Sequence, residues 1–284
     1  MVTLRTCILA SCIAAAALMN IDAPSGVGAQ QAIPDFIAHR AVYDLKLAYS
    51  RGSSSSMSAR GRILYDFSGN SCEGYALRFR QVSELDNGEG KVTLSDLRST
   101  TWEDATASKF MFKSQNYLNE ALIDVVDGEA ERLADKVNVT LAKPVEKSFD
   151  LDRTIAFPTD HMRRILEAAR AAQPLFEAPV YDGSEKGEKV YQTLSVIGHA
   201  IGPDERTPDD AAANKEALRM LRRWPVTVSY FDRAAKNSDQ PPLYSIKFEL
   251  YENGISRALM LDYNDFVISG ELASLDIRNS QSCR

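Results

Sequence analysis

Three groups of residues in this chain have side chains suited to catalysis or ligation. Asp96, Glu103 and Asp104 lie in one short stretch beside Arg98, and two carboxylates facing each other across a cleft are what glycoside hydrolysis uses. The plainer reading of the same residues is a solvated ion-pair network. His39, His161 and His199 are the only histidines. No two of them stand at metal-ligand spacing, so neither a metal nor a cofactor is expected. Ser53 to Ser56 have no base beside them in sequence, and there is no Gly-x-Ser-x-Gly elbow or phosphate-cradling glycine loop. No catalytic residue is therefore assigned. Asp182-Gly183-Ser184 reads as a turn in which Gly183 takes positive φ.

The aromatic residues offer binding instead. Trp102, Trp224, Phe110 and Phe112, with Tyr230 and Tyr244, read in two ways: as core or sheet packing, or as the wall of a pocket. A curved sheet with a helix against it encloses grooves of the kind that hold acyl chains or peptide segments.

The first 29 residues have the three zones of a signal peptide. Arg5 precedes an apolar run from Thr6 to Met19, and a breaker region ends in Val27-Gly28-Ala29. The run is too short to cross a bilayer, which takes about 20 residues. Leu9-Ala10-Ser11-Cys12 also resembles a lipoprotein box, but the apolar run continues past Cys12. The expectation is a removed segment, 1–29, and one domain, 30–284, with no transmembrane segment in the mature chain. Formal net charge is −6 with both signs mixed along the chain. That argues against nucleic acid as a partner. Processing removes Cys7 and Cys12 and leaves Cys72 and Cys283. In an oxidising compartment two cysteines invite one disulfide; two free thiols are the alternative.

The elements that would position these residues are mostly strands. Tyr43, Leu45, Leu47 and Tyr49 alternate with polar residues, as do Tyr75, Leu77 and Phe79. Asp86-Asn87-Gly88 and Glu252-Asn253-Gly254 are hairpin turns. Residues 117–142 have mixed composition and are assigned as strands for their branched side chains. Two helices are expected. One follows Pro158-Thr159-Asp160, carries an apolar stripe of Met162, Ile165, Leu166, Ala169 and Ala172, and stops at Pro174. The other runs from Asp209 or Asp210 to about Arg223. The fold class is mainly β: an antiparallel meander of roughly 12 to 14 strands that curls to bury one face.

Several segments in order then carry a resemblance. They are His39-Arg40-Ala41-Val42-Tyr43-Asp44-Leu45, Gly61-Arg62-Ile63, Cys72-Glu73-Gly74-Tyr75, the stretch Ser95 to Glu103, Phe157-Pro158-Thr159-Asp160-His161, and Tyr181-Asp182-Gly183-Ser184. Together they resemble the periplasmic cell-envelope integrity family of alphaproteobacteria known as EipB, over essentially the whole mature chain. The resemblance implies a long antiparallel sheet wound into an open, spiral-like barrel with an associated helix. It also implies an internal disulfide, at positions that Cys72 and Cys283 match, and a periplasmic role in envelope integrity under stress, with no established enzymatic activity. His39, Arg40, Asp96, Trp102 and Glu103 match family positions without a defined role. The function expected is a non-enzymatic periplasmic protein that binds a lipid or lipoprotein, or another envelope protein. The alternatives are an envelope hydrolase acting on peptidoglycan or lipid, and a scaffold without a ligand.

Overall fold

The computed structural model describes residues 36–51, 58–235 and 240–278. The expected signal peptide, Ser53 to Ser56 and Cys283 lie outside the described residues. Fourteen strands form one sheet. They are β1 (His39–Ser50), β2 (Ser58–Asn70), β3 (Gly74–Asp86), β4 (Val92–Glu103), β5 (Lys109–Leu118), β6 (Ala121–Arg132), β7 (Lys136–Lys143), β8 (Lys147–Asp152), β9 (Leu175–Val180), β10 (Tyr191–Ile197), β11 (Arg223–Asp232), β12 (Tyr244–Tyr251), β13 (Ser256–Asp262) and β14 (Phe266–Ile277). Each half of the chain is a meander, and β1 pairs antiparallel with β14 in the middle of the sheet. The two free edges are β8 and β9, which are neighbours in sequence.

Helix α1 (Pro158–Arg170) lies between those two strands in sequence. The edges meet there without forming a ladder: the Ala156 N–H donates to the Pro179 carbonyl at 2.8 Å, and the Tyr181 N–H donates to the Ala156 carbonyl at 3.0 Å. The sheet is thus a curled meander that stays open, and not a closed barrel.

Alternation decides which side chains face inward. In β1, His39, Ala41, Tyr43 and Leu45 are buried while Arg40, Asp44 and Lys46 are exposed. Cross-strand register carries the same face onward. Phe67 stands opposite His39, Leu77 opposite Phe67, Thr101 opposite Leu77, and Phe112 opposite Thr101. From the other half, Tyr230 stands opposite both Thr193 and Tyr244.

Helix α1 packs onto this concave face. Pro158 occupies its first turn, where no N–H partner is lost, and the carboxylate of Asp160 lies near the helix N-terminus. The Phe157 cap residue supplies no side-chain bond. Glu103 supplies it instead, its Oε2 and Oε1 accepting the Thr159 and Asp160 N–H groups at 2.8 Å each. Ile165, Leu166 and Ala169 are buried as the stripe predicts. They join Phe67, Tyr75, Trp224, Val226 and Leu250 in one core cluster.

Two expectations are corrected here. The helix expected from Asp209 or Asp210 to Arg223 is a 3₁₀ turn at Ala211–Asn214, then a short helix α2 (Glu216–Arg219), with Arg223 already in β11. Lys215 interrupts it with an extended backbone at φ −65 and ψ 144. The second concerns the disulfide: none joins two described residues, since Cys72 is the only cysteine among them and its expected partner Cys283 lies outside them. What holds the described chain ends together is the sheet. Beyond the β1–β14 ladder, the Arg278 N–H donates to the Ala38 carbonyl at 2.8 Å, and its guanidinium donates to Asp66 at 2.7 and 3.2 Å.

Candidate functional site

The concave face is not filled everywhere. Between α1 and the two halves of the sheet lies a cavity of about 360 Å³, in the lower part of the range typical of ligand sites. Tyr65, Phe67, Leu77 and Phe79 form one wall; Tyr230, Tyr244 and Ile246 form the other. His161 and Met162 of α1 cover it, and Asp182 closes one side.

The aromatic wall is ordered by ring packing. Tyr230 and Tyr244 stack at 4.5 Å with an interplanar angle of 15°. Tyr191 meets both edge-on, at 5.7 and 5.9 Å. Phe67 stacks on Tyr75 at 5.2 Å and on Tyr65 at 6.1 Å. Burial pushes the hydroxyls of Tyr65, Tyr230 and Tyr244 up from their ordinary value. All three residues nevertheless keep accessible surface, and that surface faces the cavity they line. None of the three hydroxyls makes a hydrogen bond to a described residue. A tyrosine in such a place normally finds a partner, so these hydroxyls are available to a guest or to water.

Both histidines near the cavity are held neutral. Burial lowers His161 to about 4, with the charge of Arg164 adding to the effect, and its Nε2 lies 3.1 Å from Thr193 Oγ1. Burial also lowers His39, against its Nδ1 bond to the Ile37 carbonyl at 2.8 Å. Asp182 is different. Burial raises its carboxyl, and the bonds it accepts from the Ser184 hydroxyl and from the Ser184 N–H, the latter to Oδ1 at 2.9 Å, offset this only in part. The carboxyl is held there by the turn that the sequence signals: Gly183 has φ +73, and an added Cβ would sit 2.3 Å from the Phe112 ring.

The aromatic residues singled out from sequence fall elsewhere. Trp224 is buried in the core under α1. Phe110 and Phe112 stack on each other at 5.3 Å, and Phe110 stacks on Phe157 at 5.2 Å, within a third cluster at β5 to β7. Trp102 stands opposite Ala76 and Met111, on the outer face. None of the four lines the cavity, whereas Tyr230 and Tyr244 do.

The three neighbouring carboxylates do not converge. Glu103 faces inward under α1, where burial raises it to about 7 against the two N–H bonds it accepts. Asp96, an odd number of residues away on the same strand, faces outward. Arg80 and Arg98 hold it at about 2 by bonds of 2.7 to 3.1 Å. Asp104 ties its own turn, accepting from Thr106, Ser108 and Lys109. Among the described residues no group of three or more His, Cys, Asp or Glu could hold a metal ion, and no helix is long and apolar enough to cross a membrane.

Comparison with known proteins places the whole arrangement. A family model described as EipB-like matches residues 30–279. The cell envelope integrity protein EipB of Brucella abortus is 36% identical over 251 residues, covering 87% of this chain and 88% of that protein. A crystal structure from Brucella abortus, titled as a β-barrel-like protein of a domain of unknown function, superposes with a TM-score of 0.78 at 36% identity. The match covers 86% of this chain and 99% of that one.

Proposed function

This chain belongs to the EipB-like family, and from that premise we propose that it supports the cell envelope by holding an apolar chain inside its curled sheet. It is a non-enzymatic protein of the periplasm, in keeping with its family. The observation that carries the binding reading is the cavity between α1 and the two sheet halves, with its aromatic walls and its unpartnered tyrosine hydroxyls. A cavity of this size with largely apolar and aromatic walls gives a guest of matching shape packing contacts and withdraws its hydrocarbon from water. The volume suits one alkyl chain or one extended side-chain cluster.

The hydrolase alternative loses its support, since Asp96 and Glu103 point to opposite faces of β4 and Asp104 is committed to a turn. A scaffold without a ligand would call for a filled interior, which the cavity is not.

A neutral long-chain alcohol, dodecanol, tests the reading. Calorimetric titration of the mature protein should show uptake of one equivalent. Leu77→Trp, which places a larger ring in the cavity wall, should weaken uptake at least about tenfold while the thermal midpoint is kept. Equal uptake by both proteins would contradict the cavity as the site.

A further inference from the structure

We propose that the cavity selects a chain bearing a positively charged nitrogen, an alkyl or acyl ammonium, whose cationic head lies between Asp182 and the Tyr230–Tyr244 stack. This deepens the binding reading above and rests on it.

The argument begins from the charges around the cavity. Its lining contains one acid, Asp182, and no lysine or arginine. The two histidines are kept neutral by burial. Asp182 makes no ion pair with any described residue; its acceptor capacity is met only by the Ser184 turn. Glu249, a covered carboxylate elsewhere among the described residues, is compensated by charge: it accepts from two arginines. Glu103 accepts two N–H groups at a helix N-terminus and lies outside the cavity lining. A carboxylate withdrawn from water and left without a cation is unfavourable unless it is neutralised or a cation is brought to it. Burial does raise the Asp182 carboxyl toward the neutral form. A cationic guest would restore the charged form and gain the pairing.

The aromatic rings beside it point the same way. The turn that carries Asp182 is tied to the tyrosine cluster: the Ser184 hydroxyl lies 3.0 Å from the Tyr191 hydroxyl, and Tyr191 meets both Tyr230 and Tyr244 edge-on. Stacked and edge-on rings around a space offer negative faces to a cation, and an acid at the rim adds to the attraction. The rest of the lining, Leu77, Phe79, Met162 and Ile246, is apolar and suits a hydrocarbon tail. A fatty acid carboxylate would find the opposite of what it needs: no cation, and an acid facing it.

The test compares three probes of equal chain length below their micellar concentrations: dodecyltrimethylammonium, dodecanoate and dodecanol. Calorimetric titration of the mature protein should rank the ammonium tightest, by about tenfold or more over dodecanoate. Asp182→Asn should abolish that preference, bringing the ammonium and dodecanoate affinities to within about threefold of each other. If circular dichroism shows that Asp182→Asn is misfolded, Tyr230→Leu takes its place, with the same loss expected. Equal or tighter binding of dodecanoate by the wild type would overturn the inference and leave the cavity reading standing. A preference for the ammonium that persists in both variants would overturn the assignment to this corner. Failure of all three probes, dodecanol included, would overturn both the inference and the cavity reading.

Discussion

Two covered carboxylates, Glu249 on the sheet and Asp182 in the loop after β9, are treated in opposite ways. Glu249 of β12 is covered by the segment that precedes β11. Its Oε2 accepts from Arg223 Nε at 2.8 Å and from Arg257 Nη1 at 2.5 Å, and Arg257 Nε reaches Asp210 at 2.6 Å. Burial pushes Glu249 up, but the two arginines outweigh it and hold the carboxyl below its ordinary value. Asp182, beside the cavity, has no arginine or lysine among the lining residues and is pushed up. The first arrangement is complete without any other molecule. It fastens the 3₁₀ turn and α2 onto the sheet, and its role is structural. The second is incomplete, and it adjoins the space where a guest would lie.

The largest effect expected from this contrast comes from breaking the complete network. Arg257→Met removes the cation shared by Asp210 and Glu249 and leaves Asp210 buried without its partner. Loss of one member of a buried ion-pair network costs about 3 to 5 kcal/mol. Urea denaturation of the mature protein at neutral pH should show that loss. A change within error would mean that the network is solvated and that the comparison fails.

Acidity offers a second test, through the groups that face α1. Burial raises Glu103 from 4.5 to about 7, so the native state holds a proton that the unfolded chain has released. The resulting stabilisation is fully present below 4.5 and is lost as pH rises through 7. His161 has the opposite sign. Burial lowers it from 6.5 to about 4, so the unfolded chain takes up a proton that the native state refuses. Its contribution is present above 6.5 and is lost as pH falls toward 4. Between about 4.5 and 6.5 the two slopes oppose each other, with Asp182 and His39 adding one more group of each sign. His161→Gln should therefore gain on the wild type by about 2 kcal/mol when the pH is lowered from 6.5 to 5. Glu103→Gln should gain on the wild type as pH rises over the same range. Urea midpoints at the two pH values read both. A gap between variant and wild type that does not change with pH would remove burial as the cause.

Much of the architecture behind these contrasts is legible in the residues, and the parts that are not have physical reasons. Alternation in β1 and β3 marks the inward face, and the two Asn-Gly turns lie where strands reverse. Pro158 and Pro174 bracket α1 correctly. Strands β8 and β9 are harder to see because they are short edge strands, and β9 contains Pro179, which only an edge tolerates. The alanines after Asp210 have helical composition. Tertiary ties override it: Asp210 is bound to Arg257, and Arg223 and Trp224 are drawn into β11. The site is less legible than the frame. Trp224 and Phe110 are aromatic residues of the kind that line pockets, yet register sends them into packing. Asp182-Gly183-Ser184 declares a turn, but only the curl of the sheet brings it beside Tyr230 and Tyr244, which arrive from far along the chain.

A smaller effect separates the two carboxylates by sign. Glu249→Gln should lower stability, because it takes the charge away from two buried arginines. Asp182→Asn in the ligand-free protein should raise stability by about 1 kcal/mol, since it removes a carboxylate held away from water without a cation. Thermal and urea unfolding of both variants at neutral pH gives the comparison directly. Two losses of similar size would mean that Asp182 is as structural as Glu249.

The most direct measurement is the mass of what the mature protein carries from its own periplasm, with wild type and Leu77→Trp purified side by side without detergent. Native mass spectrometry should find one bound species with an alkyl or acyl chain on the wild type, absent from the variant. The same species on both proteins, or a wild type that flies empty, would contradict an interior built to hold a chain.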